Sequence, residues 1–486
     1  MFSFPNCANW ISGTLHVICA VALPLVEVVS ARERPNIVII MADDMGYSDA
    51  GCYGGEIETP NIDRLAAEGV RFTQFYNTGR CCPTRASLLT GLYSHQVGIG
   101  HMTGDKGLPS YQGYLNDRCM TIAEALKPAG YTTMISGKWH VGSAPEYWPL
   151  RRGFDKFYGI PQGGGHYYKN LPGRQLVLGD REIPIPEDWY ATEGFTDHAV
   201  KFIEEERRSN RPFFLYVPYT APHWPLQARK KDIAKYHGRY DQGWDAVRDG
   251  RYQRMVERGV VRSEWGLSQR DSGSLVWESE AQKAMMSQRM EVYAAQVDAL
   301  DQGVGRILSA LEHSGRRENT VVMFLSDNGC SAEGGQKGFN NPQRGDVNAE
   351  LGTRDSYVSA GLSWANACNT PYRKYKMQVH EGGISTPLVV SWPKGFSNRR
   401  GDLEHSVGHV IDLMPTCLEL AGARYDQAKA IPLEGRSLVS VVTGKAGAGT
   451  NDERVLCWEH EGNRAVRRGK WKLVASNKDR WELYDL

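Results

Sequence analysis

The 486-residue chain has no excess of charge of either sign, because 57 lysines and arginines stand against 56 acidic residues. This balance argues against a nucleic-acid or membrane-surface partner bound by bulk electrostatics, so any anion must be bound by a local cluster. Long apolar runs are missing after residue 31, and no later segment is predicted to span a bilayer. We find no internal repeat or low-complexity tract, and a composition of 41% hydrophobic and 23% charged residues indicates a globular protein.

Cysteine is scattered instead of clustered. Of ten cysteines, Cys7 and Cys19 lie near the N-terminus, and eight lie in the remainder of the chain: Cys52, Cys81, Cys82, Cys119, Cys330, Cys368, Cys417 and Cys457. Their spacing matches neither a zinc knuckle nor a dense disulfide framework. Any disulfide pairing therefore stays open.

The first 31 residues are typical of an export signal peptide. Residues 11–29 are mostly apolar, and the small residues Val29, Ser30 and Ala31 precede a charged segment. An N-terminal membrane anchor is the alternative, but Pro24 and Glu27 interrupt the apolar run and disfavour a stable span. We expect a periplasmic or secreted protein.

Short apolar runs rich in β-branched residues predict buried strands of a mostly parallel sheet. These runs are residues 35–41, 131–136, 212–217, 320–325 and 387–392, and helical patterns lie between them at 61–69, 121–130, 195–208 and 279–315. The fold class is therefore α/β, with a catalytic domain at 32–424 and a helical and loop insertion at 226–278. Shorter, more charged strands after residue 424 predict a small antiparallel C-terminal subdomain at 425–486.

Polar residues follow four of the predicted strands, and the carboxyl ends of strands in an open α/β sheet are where ligands bind. Asp43 and Asp44 follow the first strand, and Asp327 and Asn328 follow another. Neighbouring carboxylates repel each other, and burying them together requires a cation. All-oxygen ligands favour Ca²⁺ or Mg²⁺ over zinc. Taken singly, each pair is also compatible with an ordinary solvated turn.

The segment Cys81-Cys82-Pro83-Thr84-Arg85 places a thiol before a helix-like run. A helix N-terminus favours an anionic nucleophile and an anionic substrate, and Arg85 adds a forked donor for an oxyanion. The alternative is a buried structural cysteine pair at the start of a core helix.

Four further cationic or titratable residues lie near predicted strand ends. Lys138 and His140 are two residues apart and share one side of an extended segment, where they could hold an anion and move a proton. His223 follows Pro222 in an extended loop, and Lys376 precedes the last predicted strand. Each is also compatible with a structural or solvent-exposed role when taken alone.

These segments together resemble the formylglycine-dependent sulfatases, most nearly the bacterial arylsulfatases, of the alkaline phosphatase superfamily. In that family C-x-P-x-R marks a cysteine that is oxidised to formylglycine. C-C-P-T-R-A-S-L-L-T-G is accompanied, in the family's order, by M-A-D-D-M-G, G-K-W-H, A-P-H-W-P, S-D-N-G and K-M-Q-V-H-E-G-G. The resemblance implies a large mixed, mostly parallel central sheet flanked by helices. Relatives usually continue past L-Y-D-L, so we expect a truncated C-terminal subdomain.

The resemblance also implies a role for each site residue. Cys81 would become the formylglycine, whose gem-diol attacks sulfur and forms a sulfo-enzyme intermediate that His140 helps to break down. Arg85 would orient the gem-diol, while Lys138, His223 and Lys376 would bind sulfate, with His223 or Lys376 protonating the leaving alcohol. Ca²⁺, favoured over Mg²⁺, would be bound by the side chains of Asp43, Asp44, Asp327, Asn328 and the modified Cys81.

The expected function is hydrolysis of sulfate monoesters to an alcohol or phenol and inorganic sulfate. The alternatives are a phosphonate monoester or phosphodiester hydrolase and a non-catalytic protein that binds sulfated glycans. The expected partners are a sulfated aryl ester or sulfated glycan and a formylglycine-generating or anaerobic maturation enzyme. We expect loops 226–278 and 333–370 to set substrate specificity, with Tyr357 and Trp364 as candidate substrate contacts.

Overall fold

The computed structural model describes residues 34–396, 398–445 and 453–486, so the predicted export signal lies outside the described residues. The strands are β1 Asn36–Asp43, β2 Val70–Tyr76, β3 Thr132–Lys138, β4 Lys156–Ile160, β5 Val177–Leu178, β6 Arg181–Glu182, β7 Phe213–Pro222, β8 Thr320–Ser326, β9 Ser385–Ser391, β10 Asp402–Glu404, β11 Gly408–His409, β12 Val455–His460, β13 Asn463–Arg468, β14 Trp471–Ala475 and β15 Glu482–Asp485. The helices are α1 Pro60–Ala67, α2 Cys81–Thr90, α3 Ile122–Leu126, α4 Ala191–Glu205, α5 Lys230–Ala234, α6 Gly243–Glu257, α7 Lys283–His313, α8 Leu362–Cys368, α9 Glu381–Ile384, α10 Leu413–Ala421 and α11 Val439–Val442.

A large mixed sheet forms the centre of the molecule and confirms the predicted fold class. Its strand order is β10-β2-β9-β8-β1-β7-β3-β4-β5-β6, and β11 also pairs with β2. The central strands β8, β1, β7, β3 and β4 run parallel, whereas β9 runs antiparallel to both β8 and β2. The carboxyl ends of the parallel strands therefore meet along one edge of the sheet.

Helices cover both faces of this sheet, which explains why β1 is apolar from Ile37 to Ala42. Val38 and Ile40 point into the core that contains α4 and α7, while Ile37 and Ile39 point into the core that contains α2 and α10. Alternate side chains of a strand point to opposite faces, so a strand buried on both sides has no position for a polar residue until it ends. In β1 that end is Asp43.

Residues 226–278 contain α5 and α6, and they pack against α7 and α8 instead of adding a strand to the main sheet. Trp364 on α8 is buried against Trp244, with ring centroids 5.6 Å apart, and against Trp277 at 6.1 Å. Tyr357 is also buried. Trp364 therefore packs the insertion onto the core and does not face a substrate.

A four-stranded antiparallel sheet, β12-β13-β14-β15, forms the C-terminal part, as predicted. It contacts the main sheet through Trp458, whose ring lies 5.5 Å from that of Tyr76 at the end of β2. Within the described residues, no helix is both long enough and apolar enough to cross a membrane.

Candidate active site

The ends of β1 and β8 bring together the acidic residues that the sequence places 284 positions apart. The two strands are parallel neighbours, and Ala42 pairs with Ser326 just before both strands end. The Asp44 backbone N–H donates to Asp327 Oδ1 at 3.2 Å, and Asn328 Nδ2 donates to Asp44 Oδ1 at 2.6 Å. Asp44 has a φ of 66°, in the left-handed region that is uncommon for a non-glycine residue. The tight turn thus directs the Asp44 carboxylate back toward β8.

Cys81 is the first residue of α2 and lies 1% exposed beneath the ends of these strands. Its Sγ lies within 4.8 Å of ligand atoms of Cys82 and His140. A hydrogen bond with Cys82, together with the charge of Lys138, holds the pKa of the Cys81 thiol well below its usual range although burial opposes this. The position combines a helix N-terminus with nearby cationic side chains, which stabilise an anion there.

Arg85, one turn further along α2, is fully buried and links the two acidic strand ends. Its Nη2 donates to Asp327 Oδ2 at 2.7 Å and lies 3.5 Å from Asp43 Oδ2, and its Nη1 donates to the Lys138 carbonyl at 3.1 Å. Lys138 Nζ donates to Asp43 Oδ2 at 2.6 Å. Burial would raise the pKa of Asp43, but Lys138, His223 and Arg85 outweigh it and lower that pKa to about 2.

Lys376 and His223 approach Asp44 from the opposite side. Lys376 Nζ donates to Asp44 Oδ2 at 2.8 Å and to Glu333 Oε2 at 3.2 Å, while His223 Nε2 lies 3.6 Å from Asp44 Oδ2. Burial and the charge of Lys376 lower the pKa of His223. Burial opposes the charged form of Lys376, but the nearby carboxylates of Asp44 and Glu333 raise its pKa. Lys376 therefore keeps its positive charge at neutral pH.

The oxygen atoms at the two strand ends fit a divalent cation. Asp43 Oδ1 and Asn328 Oδ1 are buried and have no hydrogen-bond partner. Burial and the neighbouring Asp43 carboxylate raise the pKa of Asp327 well above its usual range, although Arg85 opposes this. A cation among these oxygens would satisfy the unpartnered atoms and offset the repulsion between the carboxylates. The all-oxygen donor set fits a hard ion such as Ca²⁺ or Mg²⁺.

A glycine segment that sequence reasoning missed lies against the histidines. A Cβ on Gly163, whose φ is 118°, would stand 2.6 Å from His140 Nε2, and a Cβ on Gly164 would stand 3.6 Å from His223 Cε1. Only a residue without a side chain fits at Gly163. Burial and Lys138 lower the pKa of His140 to about 4, so this imidazole is neutral at neutral pH. The three consecutive glycines, Gly163-Gly164-Gly165, are the feature of the sequence that could have indicated a close approach of the backbone to the site.

A buried ion network supports the turn that carries Asp44. Asp49 Oδ2 accepts from the Tyr293 hydroxyl at 2.6 Å, and the same hydroxyl lies 3.2 Å from the Asp44 carbonyl. Arg251, on α6, donates to Asp49 Oδ1 at 2.5 Å and makes two bonds of 2.7 Å to Glu56. The insertion is thereby linked to the turn that carries Asp44 through Arg251, Asp49 and Tyr293.

The structure brings all ten sequence-predicted residues into one connected cluster: Asp43, Asp44, Cys81, Arg85, Lys138, His140, His223, Asp327, Asn328 and Lys376. Sequence reasoning missed Glu333, which accepts from both Lys376 and Trp224 Nε1. Its position in a loop of glycine and polar residues gave no signal of a buried ion pair.

Comparison with known proteins is consistent with this geometry. A family model described as Sulfatase matches residues 35–423, and a model described as N-sulphoglucosamine sulphohydrolase, C-terminal, matches residues 372–486. The chain is 35% identical to an uncharacterized sulfatase of Schizosaccharomyces pombe, over 93% of this chain and 88% of that protein. It is 34% identical to an arylsulfatase of Klebsiella aerogenes, over 85% of this chain and 93% of that protein.

A similar solved structure is that of Ps i-CgsB in complex with k-i-k-neocarrahexaose. The two structures superpose with a TM-score of 0.68 and 26% sequence identity, covering 93% of this chain and 86% of the other.

Proposed function

The chain belongs to the sulfatase family and is a sulfatase, and from that premise we propose that it hydrolyses aryl or glycan sulfate monoesters through a formylglycine formed from Cys81. The observation that carries this proposal is the placement of Cys81 at the start of α2, among the carboxylates of β1 and β8 and the cations Arg85 and Lys138. Attack on sulfur by an unmodified Cys81 thiol would give a thiosulfate ester, from which sulfate has no easy route of release. The hydrated aldehyde supplies one hydroxyl to attack sulfur and a second whose deprotonation expels sulfate.

The oxygen ligands proposed for the metal are the side chains of Asp43, Asp44, Asp327 and Asn328, together with the modified Cys81. A divalent cation held there, for which we propose Ca²⁺, would supply positive charge next to the reacting hydroxyl and a sulfate oxygen. Asp43 Oδ1 and Asn328 Oδ1, which are buried without hydrogen-bond partners, support the assignment of these two ligands.

Arg85, Lys138 and Lys376 are the proposed electrostatic groups for the transferring sulfuryl group. All three are buried, so their charges act in a low-dielectric environment and need no reorganisation when negative charge develops on oxygen. Arg85 is fixed by Asp327 and by the Lys138 carbonyl, which favours a role in orienting the hydroxyls at position 81.

Proton transfer is assigned to the two histidines. His140 is neutral at neutral pH and its ring lies near Cys81, so it can accept a proton from a hydroxyl at that position. His223 lies beside Asp44 on the opposite side, where it can donate to the leaving alcohol, and Lys376 is the second donor available there. The proposed base, His140, and the proposed acids, His223 and Lys376, therefore lie on different sides of the site.

The proposed location is the periplasm or the outside of the cell, based on the signal-like residues 1–31. The proposed partners are a sulfated aryl ester or sulfated glycan as substrate, and the formylglycine-generating or anaerobic maturation enzyme that modifies Cys81.

The proposal is tested by producing the protein with and without a formylglycine-generating enzyme. We expect the Cys81 peptide to carry the aldehyde only after co-expression, and kcat/KM on p-nitrophenyl sulfate to rise with the converted fraction. A Cys82→Ala variant is the matched control, because it keeps the neighbouring thiol intact. Full activity with an unmodified Cys81 would contradict the mechanism, and a clear preference for phenyl phosphonate or a phosphodiester would contradict the substrate class.

A further inference from the structure

The loop that follows β8 brings the carboxylate of Glu333 to the side of the site where the proposed mechanism protonates the leaving alcohol. Glu333 Oε2 accepts from Lys376 Nζ at 3.2 Å and from Trp224 Nε1 at 2.7 Å. The Ser331 hydroxyl donates to the same oxygen at 2.9 Å. Hydrogen bonds between an ammonium group and a carboxylate are stronger than neutral ones. A single carboxylate oxygen therefore joins side chains from three places in the chain.

Trp224 extends this contact to His223. The His223 Nδ1 atom donates to the Trp224 carbonyl at 2.5 Å, and the centres of the two rings are 4.5 Å apart. The other ring nitrogen, Nε2, lies 3.6 Å from Asp44 Oδ2. Since the indole N–H is bonded to Glu333, that carboxylate also constrains the residue against which the imidazole packs.

These contacts form a closed ring around the two candidate proton donors. Lys376 Nζ lies between two carboxylates, at 2.8 Å from Asp44 Oδ2 and 3.2 Å from Glu333 Oε2. Asp44 also faces His223, as described above. Glu333 touches Lys376 directly and reaches the imidazole through Trp224. Without the Glu333 side chain, the ring is open and both the ammonium and the indole lose a fixed partner.

Glu333 differs from an ordinary surface acid in how firmly it is held. Its side chain is 30% exposed, and exposed ion pairs contribute little because long side chains must be ordered to form them. Here the backbone is anchored as well, because the buried Ser359 hydroxyl donates to the Glu333 carbonyl at 2.8 Å. The Trp224 ring packs against Phe339, with ring centres 5.2 Å apart. The carboxylate and its indole partner are thus held in one arrangement.

We propose that Glu333 is a positioning residue for the two candidate proton donors, Lys376 and His223. It holds the first directly and the second through Trp224, so that both stand next to the departing alcohol. The inference rests on the proposed sulfatase mechanism and adds the group that orients its acids. Because Glu333 is itself negative, it acts on the sulfate ester only through these neighbours.

The test compares leaving groups, because a proton donor contributes most when the departing oxygen is a poor leaving group. The formylglycine-bearing wild type, Glu333→Gln and Glu333→Ala are assayed on aryl sulfates that range from p-nitrophenyl sulfate to phenyl sulfate. The measured quantity is kcat/KM, since it covers only the steps up to release of the alcohol and excludes breakdown of the sulfo-enzyme. The Ki of inorganic sulfate reports binding of the anion alone. Glu350→Gln is the matched control, because Glu350 is an exposed acid of the same loop that pairs with the exposed Lys230.

We expect Glu333→Ala to lower kcat/KM on phenyl sulfate at least about tenfold more than on p-nitrophenyl sulfate, because misplacing a catalytic group can cost roughly 100-fold in rate. Glu333→Gln keeps an acceptor oxygen and removes the charge, so its loss should be smaller but depend on the leaving group in the same direction. Glu350→Gln should leave the whole series unchanged. An equal loss on every aryl sulfate, or no loss, would overturn the positioning role.

Trp224→Phe tests the same ring from its other side, because it removes the indole N–H and keeps an aromatic ring. Its loss should also be greatest on phenyl sulfate. When it is combined with Glu333→Gln, the loss should be smaller than the product of the two single losses, since both changes break one hydrogen bond. Fully multiplicative losses would overturn the link through Trp224. Circular dichroism identifies the folded variants, and Glu333→Gln decides the question if Glu333→Ala does not fold.

A failure of the proposed function is distinguishable from a failure of this inference. If the formylglycine-bearing wild type hydrolyses no sulfate ester, the proposed function fails and the positioning role falls with it. If the wild type hydrolyses the series and the Glu333 variants show no dependence on the leaving group, only the positioning role fails.

Discussion

Replacing Arg251 by methionine tests whether the insertion stabilises the turn that carries Asp44. The substitution removes the guanidinium but keeps an unbranched side chain. It leaves Asp49 without its counter-ion and leaves Glu56 with Arg254, at 3.5 Å, as its remaining one. Removing one partner of a buried ion pair costs about 3–5 kcal/mol, because the remaining charge is buried and uncompensated. Unfolding entropy is about 2.1 cal/mol/K per residue, so a chain of 486 residues gives roughly 1 kcal/mol/K and a Tm lowered by about 3–5 °C.

Differential scanning calorimetry at one fixed scan rate measures this change. Arg207→Met, at an exposed position, should shift Tm by less than about 1 °C, since surface substitutions stay within about 0.5 kcal/mol. Adding Asp49→Asn and Glu56→Gln to Arg251→Met should restore much of the Tm, because no unpaired charge then remains. A Tm for Arg251→Met equal to that of the exposed control would refute the argument.

Four shorter predictions concern the site and its surroundings. Cys81→Ala should abolish turnover of p-nitrophenyl sulfate, whereas Cys82→Ala should retain most of it; comparable losses in both variants would contradict the assignment of position 81. Asp327→Asn should weaken divalent-cation binding in calorimetric titrations and reduce turnover together, and loss of turnover with unchanged cation affinity would remove Asp327 as a ligand. His140→Ala should release about one equivalent of alcohol in a burst and then turn over slowly; a linear time course at the wild-type rate would exclude its role. Burial lowers the pKa of His166 from 6.5 to about 3, so its contribution to stability is complete above about pH 6.5 and is lost as the pH falls toward 3. His166→Gln should therefore flatten the loss of unfolding free energy in that window, and an unchanged pH dependence would contradict it.

The strands that the sequence predicted best are those buried on both faces. Residues 35–41, 131–136, 212–217 and 320–325 correspond to β1, β3, β7 and β8, because a continuous apolar run has no other stable place in an α/β fold. The strand at Val70–Tyr76 was missed, and its alternation of apolar and polar residues breaks at Thr73 and Gln74, where its pairing with β9 shifts register. The antiparallel direction of β9 could not be predicted, since it depends on the path of the preceding loop.

The site residues with a local motif could be predicted, whereas those that act through distant contacts could not. Asp43 and Asp327 follow apolar runs, and that pattern predicts a strand end. Glu333 meets Lys376 across 43 positions and Arg251 meets Asp49 across 202, and neither pair is marked by spacing or composition. The predicted contact by Trp364 failed for a related reason, because an aromatic residue in a loop-like segment gave no sign of its burial between two other tryptophans.

The burial of Cys81 sets an order of events for the biosynthesis of this protein. The thiol is 1% exposed, and two of the charged groups that interact with it electrostatically, Asp327 and Lys376, come much later in the chain. An enzyme that oxidises this cysteine has to reach its sulfur atom, which is buried in the folded protein. If Cys81 is converted as proposed, the conversion has to precede the packing that buries the thiol, and the rate of folding would then compete with the rate of maturation.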